Sequence, residues 1–267
     1  MKISTFNVNS VNARKDLIQD WLKHRGEDID VLCLQEIKCI DEQFPAEPFT
    51  RKGFSCAVFG QKGYNGVAVC SRIPIKDVKM GLGDPEWDEQ KRVLTIAIDR
   101  LSVINVYAPH GGLRGEEKFT YKLDWYQKFL KTLDKRYSPE DPLILVGDFN
   151  VARDDLDVYD PQALADTIGT MAEEREAFQA LLAWGLSDAF RHLHPNERSF
   201  TWWDYIGGAI WRNEGMRIDY ILCTRALLDR VKEVEVDLWP RRRRSPAPSD
   251  HAPVIATLEN VDPDSPA

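Results

Sequence analysis

The fold is decided by the stretch Pro142-Leu143-Ile144-Leu145-Val146-Gly147-Asp148-Phe149-Asn150. Its short apolar run predicts a β-strand buried on both faces, as in a sheet that is covered by other layers. The strand ends at Gly147, and a carboxylate and a carboxamide follow at once. Asp148 and Asn150 lie two residues apart, so an extended chain would place both side chains on the same side. Gly-Asp-x-Asn is also ordinary turn composition, and taken alone the stretch favours a turn.

The composition is that of an ordinary globular protein. With 267 residues, 43% hydrophobic and 29% charged, the chain can form one large domain or two small ones. No apolar run approaches the roughly 20 residues that a membrane-spanning helix needs, and residues 1–6 lack the apolar core of a signal peptide. The cysteines are odd in number and have no CxxC spacing, which predicts free thiols in a reducing cytosol and neither a disulfide framework nor a zinc site. They are Cys33, Cys39, Cys56, Cys70 and Cys223.

The net charge of −8, from 35 basic and 43 acidic residues, does not mark the chain as a nucleic-acid binder. A local basic face would be sufficient if the acidic residues lie elsewhere. Arg241-Arg242-Arg243-Arg244 is the one dense basic run, and a run of this kind is usually a solvated loop.

Hydrophobic periodicity predicts a mixed α/β protein. Strands are expected at residues 2–6, 29–34, 54–59, 67–71, 92–98, 101–106, 199–203, 217–223, 231–237 and 254–258, besides the run that ends at Asp148. One helix presents Leu17, Ile18, Trp21 and Leu22 on one face, and a second presents Phe119, Leu123, Tyr126, Leu130 and Leu133. A capping box at Thr170-Met171-Ala172-Glu173 opens a third helix, which Gly185 ends. We expect one domain over residues 1–260 and a disordered tail at 261–267.

Polar side chains recur at the ends of the apolar runs. They are Asn7, Glu36, Tyr107, Asp148 and Asn150. The opening strand–helix–strand pattern predicts a crossover unit with Asn7 and Glu36 at equivalent strand ends. Asp219 interrupts another apolar run, and a buried carboxylate is costly unless it is paired. His251 is the candidate partner, because a carboxylate fixes the histidine tautomer and favours the imidazolium form.

Eight short motifs carry a resemblance that spans residues 1–259. They are Phe6-Asn7-Val8-Asn9-Ser10, Leu34-Gln35-Glu36-Ile37-Lys38, Asn65-Gly66-Val67-Ala68, Asn105-Val106-Tyr107-Ala108-Pro109, Gly147-Asp148-Phe149-Asn150, Phe200-Thr201-Trp202-Trp203-Asp204-Tyr205, Arg217-Ile218-Asp219-Tyr220-Ile221 and Ser249-Asp250-His251-Ala252-Pro253. In this order they resemble the exodeoxyribonuclease III/AP endonuclease family of the endonuclease/exonuclease/phosphatase superfamily, which also includes DNase I. The ordered set is highly specific, whereas any one motif alone is weak.

The resemblance implies a four-layer α/β sandwich in which two mixed β-sheets pack face to face with helices outside. It also implies metal-dependent hydrolysis of DNA phosphodiesters, with Mg²⁺ as the cofactor and Mn²⁺ as a possible substitute. The expected partner is double-stranded DNA with abasic sites or 3′ ends. We expect a cytoplasmic monomer that does not bind membranes.

Site roles follow from the same resemblance. Glu36 is the expected central metal ligand, and Asp250 and Asn7 belong to the same network. Asp148 and Asn150 complete the metal set, whose hard oxygen atoms suit Mg²⁺ or Mn²⁺.

The reaction chemistry is expected to fall to Asp148, which would orient and deprotonate the attacking water while Asn150 holds it in place. His251, buttressed by Asp219, would bind a phosphate oxygen and stabilise charge in the transition state. Tyr107 would hydrogen-bond the same phosphate. Whether Asp148 or the Asp219–His251 pair acts as the base stays open.

The resemblance also implies a small apolar pocket for an abasic sugar, formed by Trp202, Met216 and Ile218. The alternative is that all three are core residues. Trp202 and Trp203 are adjacent, so one should pack in the core while the other faces the cleft. Ile218 and Asp219 would face opposite sides of a regular strand, so both can line one site only if the strand twists or bulges there. Basic side chains in predicted loops are candidate contacts to DNA phosphates. These are Lys38, Lys62, Arg114 and Lys118.

Two positions depart from the family pattern. His110 follows the Tyr-x-Pro motif where the family usually has Asn, and an imidazole donor there would add a pH dependence. Ile206 stands where the family commonly has Arg after Trp-x-Asp-Tyr, so one contact to the DNA backbone is expected to be missing.

Two other functions are compatible with the same superfamily. One is a phosphatase for a phosphoinositide or another small phosphoester, which the Trp-Trp-Asp-Tyr and Arg-Ile-Asp motifs disfavour. The other is an inert binding module, which is disfavoured because all the polar strand-end residues are present.

Overall fold

The structure is a computed structural model, and it describes residues 1–25 and 28–259. The strands are β1 (Lys2–Asn7), β2 (Val31–Gln35), β3 (Ser55–Phe59), β4 (Val67–Ser71), β5 (Ile75–Met80), β6 (Val93–Ile98), β7 (Leu101–Tyr107), β8 (Leu143–Asp148), β9 (Leu186–Asp188), β10 (Asp219–Thr224), β11 (Val231–Val236) and β12 (Val254–Leu258). The helices are α1 (Lys15–His24), α2 (Ala46–Thr50), α3 (Pro85–Asp88), α4 (Glu117–Arg136), α5 (Ala172–Gly185), α6 (Ala189–Leu193), α7 (Ala209–Arg212) and α8 (Arg225–Leu228).

The strands form two six-stranded mixed sheets. The first sheet has the order β11-β12-β1-β2-β4-β3, and the second has the order β5-β6-β7-β8-β10-β9. In each sheet the two central strands are parallel and the other pairs are antiparallel. The first parallel pair, β1 and β2, is joined through α1, as the strand–helix–strand pattern predicts.

Three apolar clusters show that the sheets and helices form four layers. Side chains of β1, β2 and β4 meet those of β6, β7, β8 and β10 in the cluster between the sheets. The outer face of the first sheet packs on α1, with Trp21 fully buried. The outer face of the second sheet packs on α4 and α5, which bury Trp125 and Phe178. The predicted four-layer α/β sandwich is therefore confirmed.

The topology brings the predicted polar residues to one edge of both sheets. Strands β1, β2, β7 and β8 end at this edge, carrying Asn7, Glu36, Tyr107 and Asp148. Strand β10 runs antiparallel to β8, so Asp219 at its start lies opposite Asp148. His251 precedes β12, which is antiparallel to β1, and it reaches the same edge.

Several predicted elements differ from the structure. The helix α5 begins after Met171, whose N–H donates to Oε2 of Glu174 (3.2 Å), so the capping box lies one residue later than predicted. On α4 the buried face includes Lys122 and Trp125, whereas Leu123 and Leu130 are only half-buried. Residues 199–203 make isolated bridges instead of a regular strand.

Two strands escaped the sequence prediction. Strand β5 forms one edge of the second sheet and is largely exposed. Because few of its side chains are buried, its sequence is polar and lacks a strong alternation of apolar and polar residues. Strand β9, at the other edge of that sheet, has only three residues. The predicted tail at 261–267 lies outside the described residues, and the single domain over 1–260 stays a prediction.

The prediction of five free thiols is wrong for one pair, because Cys56 and Cys70 form a disulfide. These residues face each other in the antiparallel register of β3 and β4, with their Cα atoms 4.0 Å apart. Strand register sets this proximity, and sequence spacing does not reveal it. The cysteine-based argument for a reducing cytosol therefore no longer holds. Cys33, Cys39 and Cys223 are free and buried.

Among the described residues, no helix combines the length and the apolar character that crossing a membrane would require.

Candidate active site

Asn7 connects the two sheets at the centre of the site. Its Nδ2 donates to Oε1 of Glu36 (2.9 Å) and to Oδ2 of Asp148 (2.8 Å), while its Oδ1 accepts from the N–H of Asn9 (3.0 Å). Ser249 Oγ also donates to the main-chain carbonyl of Asn7 (2.7 Å). The end of β1 therefore holds two carboxylates from different sheets at fixed separation.

Glu36 lies just beyond β2 with a positive φ of 50°, a conformation that turns the chain abruptly after the strand. Lys38 Nζ lies 2.9 Å from Oε2 of Glu36 and also donates to Oδ1 of Asn9 (2.6 Å). Burial alone would raise the pKa of Glu36, but the hydrogen bonds from Asn7 and Lys38 outweigh it and lower the pKa. Glu36 is therefore held as a carboxylate.

Asp148 is positioned by the close approach of β8 to β7. A Cβ on Gly147, whose φ is 143°, would lie 1.8 Å from the main-chain oxygen of Val106, so only glycine fits there. Asp148 Oδ1 then accepts from the N–H of Asn150 (2.9 Å), and Asn150 Nδ2 donates to the carbonyl of Ala108 (2.9 Å). The stretch is thus both the predicted turn and part of the predicted site.

His251 lies between two buried carboxylates. Its Nδ1 is 2.9 Å from Oδ2 of Asp219, and its Nε2 is 3.8 Å from Oδ2 of Asp148. Burial alone would lower the pKa of His251, but the charges of Asp219 and Asp148 outweigh it and raise the pKa to about 10. The predicted Asp219–His251 pair is present, and the ring is an imidazolium at neutral pH.

The pKa of Asp148 is raised to about 7. Burial is the main cause, and the negative charges of Asp219 and Glu36 add to it against the opposing effects of His251 and Asn7. Asp148 can therefore gain or lose a proton near neutral pH.

Tyr107, at the end of β7, is 8% exposed and lies under the guanidinium of Arg92, which is 4.9 Å from the ring centroid. Burial and the charges of Glu36 and Asp148 raise the pKa of Tyr107 well above its usual value, so the hydroxyl stays a donor. His110 lies on the exposed rim of the site. Desolvation, followed by the charge of Lys122, lowers the pKa of His110.

Asp250 directly precedes His251 and has different partners. Its carboxylate accepts from Nδ2 of Asn9 (3.0 Å) and from Nε1 of Trp202 (3.1 Å). Burial would raise the pKa of Asp250, but the charge of His251 and these two hydrogen bonds lower it.

The two adjacent tryptophans separate as predicted. Trp203 is 1% exposed within an apolar cluster, whereas Trp202 is half-buried at the site. Trp202 packs with Met216 and Ile218 in a second, smaller cluster. Ile218 precedes the regular part of β10, which begins at Asp219, so both side chains can lie near one site.

Three of the predicted residues bring possible metal-ligand atoms close together. One ligand atom from each of Glu36, Asp148 and His251 lies within 4.8 Å of the others. A protonated imidazole cannot bind a metal, so the two carboxylates supply the donors at neutral pH. Their hard oxygen atoms fit a divalent cation such as Mg²⁺ or Mn²⁺ better than zinc.

Several site contacts were missed by sequence reasoning. Asn9 bonds both Lys38 and Asp250, Arg92 donates to the carbonyl of Tyr107, and Lys122 forms a buried ion pair with Glu174. Lys122 left a sequence signal, because it is a charged residue on the apolar face of an amphipathic helix, and Asn9 lies in the first of the eight motifs. Of the nominated phosphate contacts, Arg114 is already engaged by Glu173 and Asp166.

Comparisons with known proteins identify the family of this chain. Residues 4–251 match the Endonuclease/Exonuclease/phosphatase family. The chain is similar to exodeoxyribonuclease III of Haemophilus influenzae, with 34% identity over 97% of this chain and 100% of that protein. It is also similar to the structure of an AP endonuclease from Archaeoglobus fulgidus, with a TM-score of 0.92, 37% identity and coverage of 97% of this chain and 100% of the other.

A third similarity is to the structure of a 3′ phosphatase from Neisseria bound to a product DNA hairpin. The TM-score is 0.90 and the identity 40%, over 97% of this chain and 99% of the other. The chain therefore belongs to the endonuclease/exonuclease/phosphatase family, and within that family to the group of exodeoxyribonuclease III and AP endonucleases.

Proposed function

We propose that this protein is a DNA-repair nuclease that hydrolyses phosphodiester bonds at abasic sites and at 3′ ends of duplex DNA, with Mg²⁺ as its metal. The observation that carries the proposal is the placement of Asp148, a carboxylate with a pKa near neutrality, between Glu36 and the imidazolium of His251. The similar exodeoxyribonuclease III, AP endonuclease and 3′ phosphatase support the substrate class.

In this proposal Asp148 accepts the proton of the attacking water. A base works best when its pKa lies near the operating pH, and the pKa of about 7 at Asp148 meets that condition. The N–H of Asn150 fixes one carboxylate oxygen, and Asn7 fixes the other. Asn150 thus acts through the orientation of Asp148.

The phosphate is bound by donors that keep their protons at neutral pH. Nε2 of His251 points towards Asp148 while Nδ1 is held by Asp219, so the imidazolium can donate to a phosphate oxygen and stabilise the developing charge. The hydroxyl of Tyr107 supplies a second donor. His110 on the rim supplies a third as a neutral imidazole.

Glu36 is the proposed main metal ligand, because its lowered pKa keeps it ionised when Asp148 is protonated. Asp148 is the second carboxylate of the site, and Asn7 donates to both. Asn150 joins the network through Asp148, and Asp250 joins it indirectly through Asn9 and Lys38. A divalent cation held there would polarise a phosphoryl oxygen and so supply several kcal/mol of transition-state stabilisation. Mn²⁺ has similar ligand preferences and is the proposed substitute.

Damage recognition is assigned to the cluster of Trp202, Met216 and Ile218. An abasic sugar carries no base, so a small apolar pocket beside the phosphate admits it and excludes an intact nucleotide. Tyr205 and Ile206, 48% and 79% exposed, extend from the same segment.

A cavity beside His110 can accommodate a DNA strand next to the candidate site. A cavity of about 640 Å³ is lined there by Arg92, Lys118, Tyr64 and Tyr121. The acidic Glu117 also lines the cavity and Arg92 is engaged by Gln90 and Tyr107, so Lys118 and the two aromatic rings support this placement of the strand.

The test compares cleavage of abasic, intact and 3′-phosphorylated duplexes in Mg²⁺, with EDTA as the control and an inositol phosphate assayed in parallel. We expect cleavage of the abasic site and removal of the 3′ phosphate, both abolished by EDTA. Turnover of the inositol phosphate without DNA cleavage would identify a small-phosphoester phosphatase instead. No turnover of either would identify an inert binding module.

A further inference from the structure

A lysine and a glutamate form an ion pair inside the second helical layer, close to the candidate active site. Lys122 Nζ lies 2.6 Å from Oε1 of Glu174, and both side chains are completely shielded from solvent. Lys122 comes from α4 and Glu174 from the first turn of α5. A well-packed apolar pair at such a position is often as stable as an ion pair or more stable, so net stability alone does not account for these charges.

The ammonium of Lys122 binds both loops that leave the parallel strands of the second sheet. It donates to the carbonyl of Asn150 (2.8 Å), just after β8, and to the carbonyl of His110 (3.1 Å), just after β7. With the bond to Glu174, all three of its N–H donors are used. One buried cation therefore sets the separation of these two loops.

Glu174 extends this arrangement to a third segment. Its Oε2 accepts from the N–H groups of Gly169 (2.7 Å) and Met171 (3.2 Å), at the start of α5. The N–H of Ala152 in turn donates to the carbonyl of Gly169 (2.7 Å). The loop after β8 is therefore held on one side by Lys122 and on the other by the segment that Glu174 fixes.

The loop after β7 packs directly on the lysine stem. A Cβ on Gly111, whose φ is 86°, would lie 2.8 Å from Cδ of Lys122 and 3.5 Å from Oε1 of Glu174. The loop thus fits against the methylene chain as well as the ammonium.

We propose that Lys122 is a positioning residue for the reaction: by holding the carbonyls of His110 and Asn150 it aligns the phosphate-binding side chains at the end of β7 with the base at the end of β8. The inference rests on the proposed function. Lys122 acts through main-chain atoms and does not touch the substrate. A displacement of about 1 Å in such an arrangement lowers the rate on the order of 10²-fold.

The test uses the double variant Lys122→Met/Glu174→Gln, which removes both charges and leaves an amide oxygen to accept from Gly169 and Met171. We expect thermal unfolding within a few degrees of wild type, a kcat lower by about 10- to 100-fold on abasic duplex, and a KM within about twofold. Lys122→Arg, which keeps the charge and the donors, should recover part of kcat. The matched control is Lys128→Met on the same helix, which breaks the ion pair to Asp84 and should leave kcat unchanged.

Hydrogen exchange of the metal-free protein gives a readout that does not need activity. In the double variant, amides of residues 108, 110–112 and 149–152 should exchange about tenfold faster, whereas the Lys128→Met protein should match wild type. Unchanged exchange, or a wild-type kcat in a stable double variant, would overturn the role of Lys122. Faster exchange in a protein whose wild type cleaves no DNA would contradict the proposed function and leave the loop-holding role intact.

Discussion

The two sheets have the same arrangement of central strands, but the acidic residues at the ends of these strands have pKa values that are shifted in opposite directions. In each, the central pair is parallel, β1 with β2 and β7 with β8, and an acidic residue lies at the end of the second strand. Glu36 is 18% exposed, with Lys38 beside it, and its pKa is lowered. Asp148 is 1% exposed and lies near Asp219 and the imidazolium of His251, and burial is the main cause that raises its pKa to about 7.

The comparison assigns different roles to two residues with the same functional group. A carboxylate that stays ionised suits a cation, and one that titrates near neutral pH suits proton transfer. The topology places the two groups, while the neighbouring charges and the depth of burial separate their pKa values.

The largest effect is expected from Asp148→Asn, which is nearly isosteric but removes the base. Single-turnover cleavage of an abasic duplex should fall by a factor of about 10²–10⁴. DNA binding, followed by fluorescence anisotropy, should be kept or improved because a negative charge near the phosphate is lost. A variant that loses binding while keeping its cleavage rate would show that Asp148 only positions the substrate.

Glu36→Gln tests the other half of the comparison through its dependence on metal concentration. At limiting Mg²⁺ the rate should fall on the order of 10²-fold, because a ligand charge is lost, and high Mg²⁺ or Mn²⁺ should restore part of it. Asp250→Asn is the control and should depend less on metal, since that carboxylate is bound by Asn9 and Trp202. A Glu36→Gln enzyme with full activity at limiting metal would refute the ligand assignment.

The pH profile should reflect the charges around His251. Activity requires ionised Asp148 and protonated His251, so the rate should rise through pH 7 and fall above about pH 10. Asp219→Asn removes a charge that raises both pKa values, so both limbs should move to lower pH, the alkaline limb by about 1–3 units. An unchanged alkaline limb would mean that another group controls it.

The smallest expected effect concerns substrate choice. Trp202→Ala should lower cleavage at abasic sites by about tenfold, with a smaller loss of 3′ trimming and little change in thermal stability. Trp203→Ala provides the contrast, because truncating a core tryptophan costs about 3–5 kcal/mol. Early unfolding of the Trp202→Ala protein, with equal loss of both activities, would show that Trp202 belongs to the core.

Sequence patterns predicted the sheet edge well because the relevant signals are local. Apolar runs that end in Asn7, Tyr107 and Asp148 locate the ends of their strands, and the shared parallel direction brings them together. The pairing of Asp219 with His251 followed from the cost of an unpaired buried carboxylate, and the opposed faces of Trp202 and Trp203 followed from strand geometry.

The remaining features depend on contacts between distant segments. The Cys56–Cys70 disulfide follows from the register of β3 on β4. The ion pair of Lys122 with Glu174 joins residues 52 positions apart, and the helical pattern alone marks Lys122 as an anomaly without naming its partner. The opposite pKa directions of Glu36 and Asp148 likewise arise from side chains that only the folded chain brings near them.

The central claim is tested most directly by measuring the two carboxylates themselves. Carboxyl ¹³C shifts of the metal-free protein, titrated by NMR and assigned with the Asp148→Asn and Glu36→Gln variants, report each pKa. We predict a midpoint near pH 7 for Asp148 and, for Glu36, one below the ordinary value of a glutamate. An Asp148 carboxyl that is fully ionised at pH 5, or a Glu36 that titrates above that pH, would contradict the division of roles.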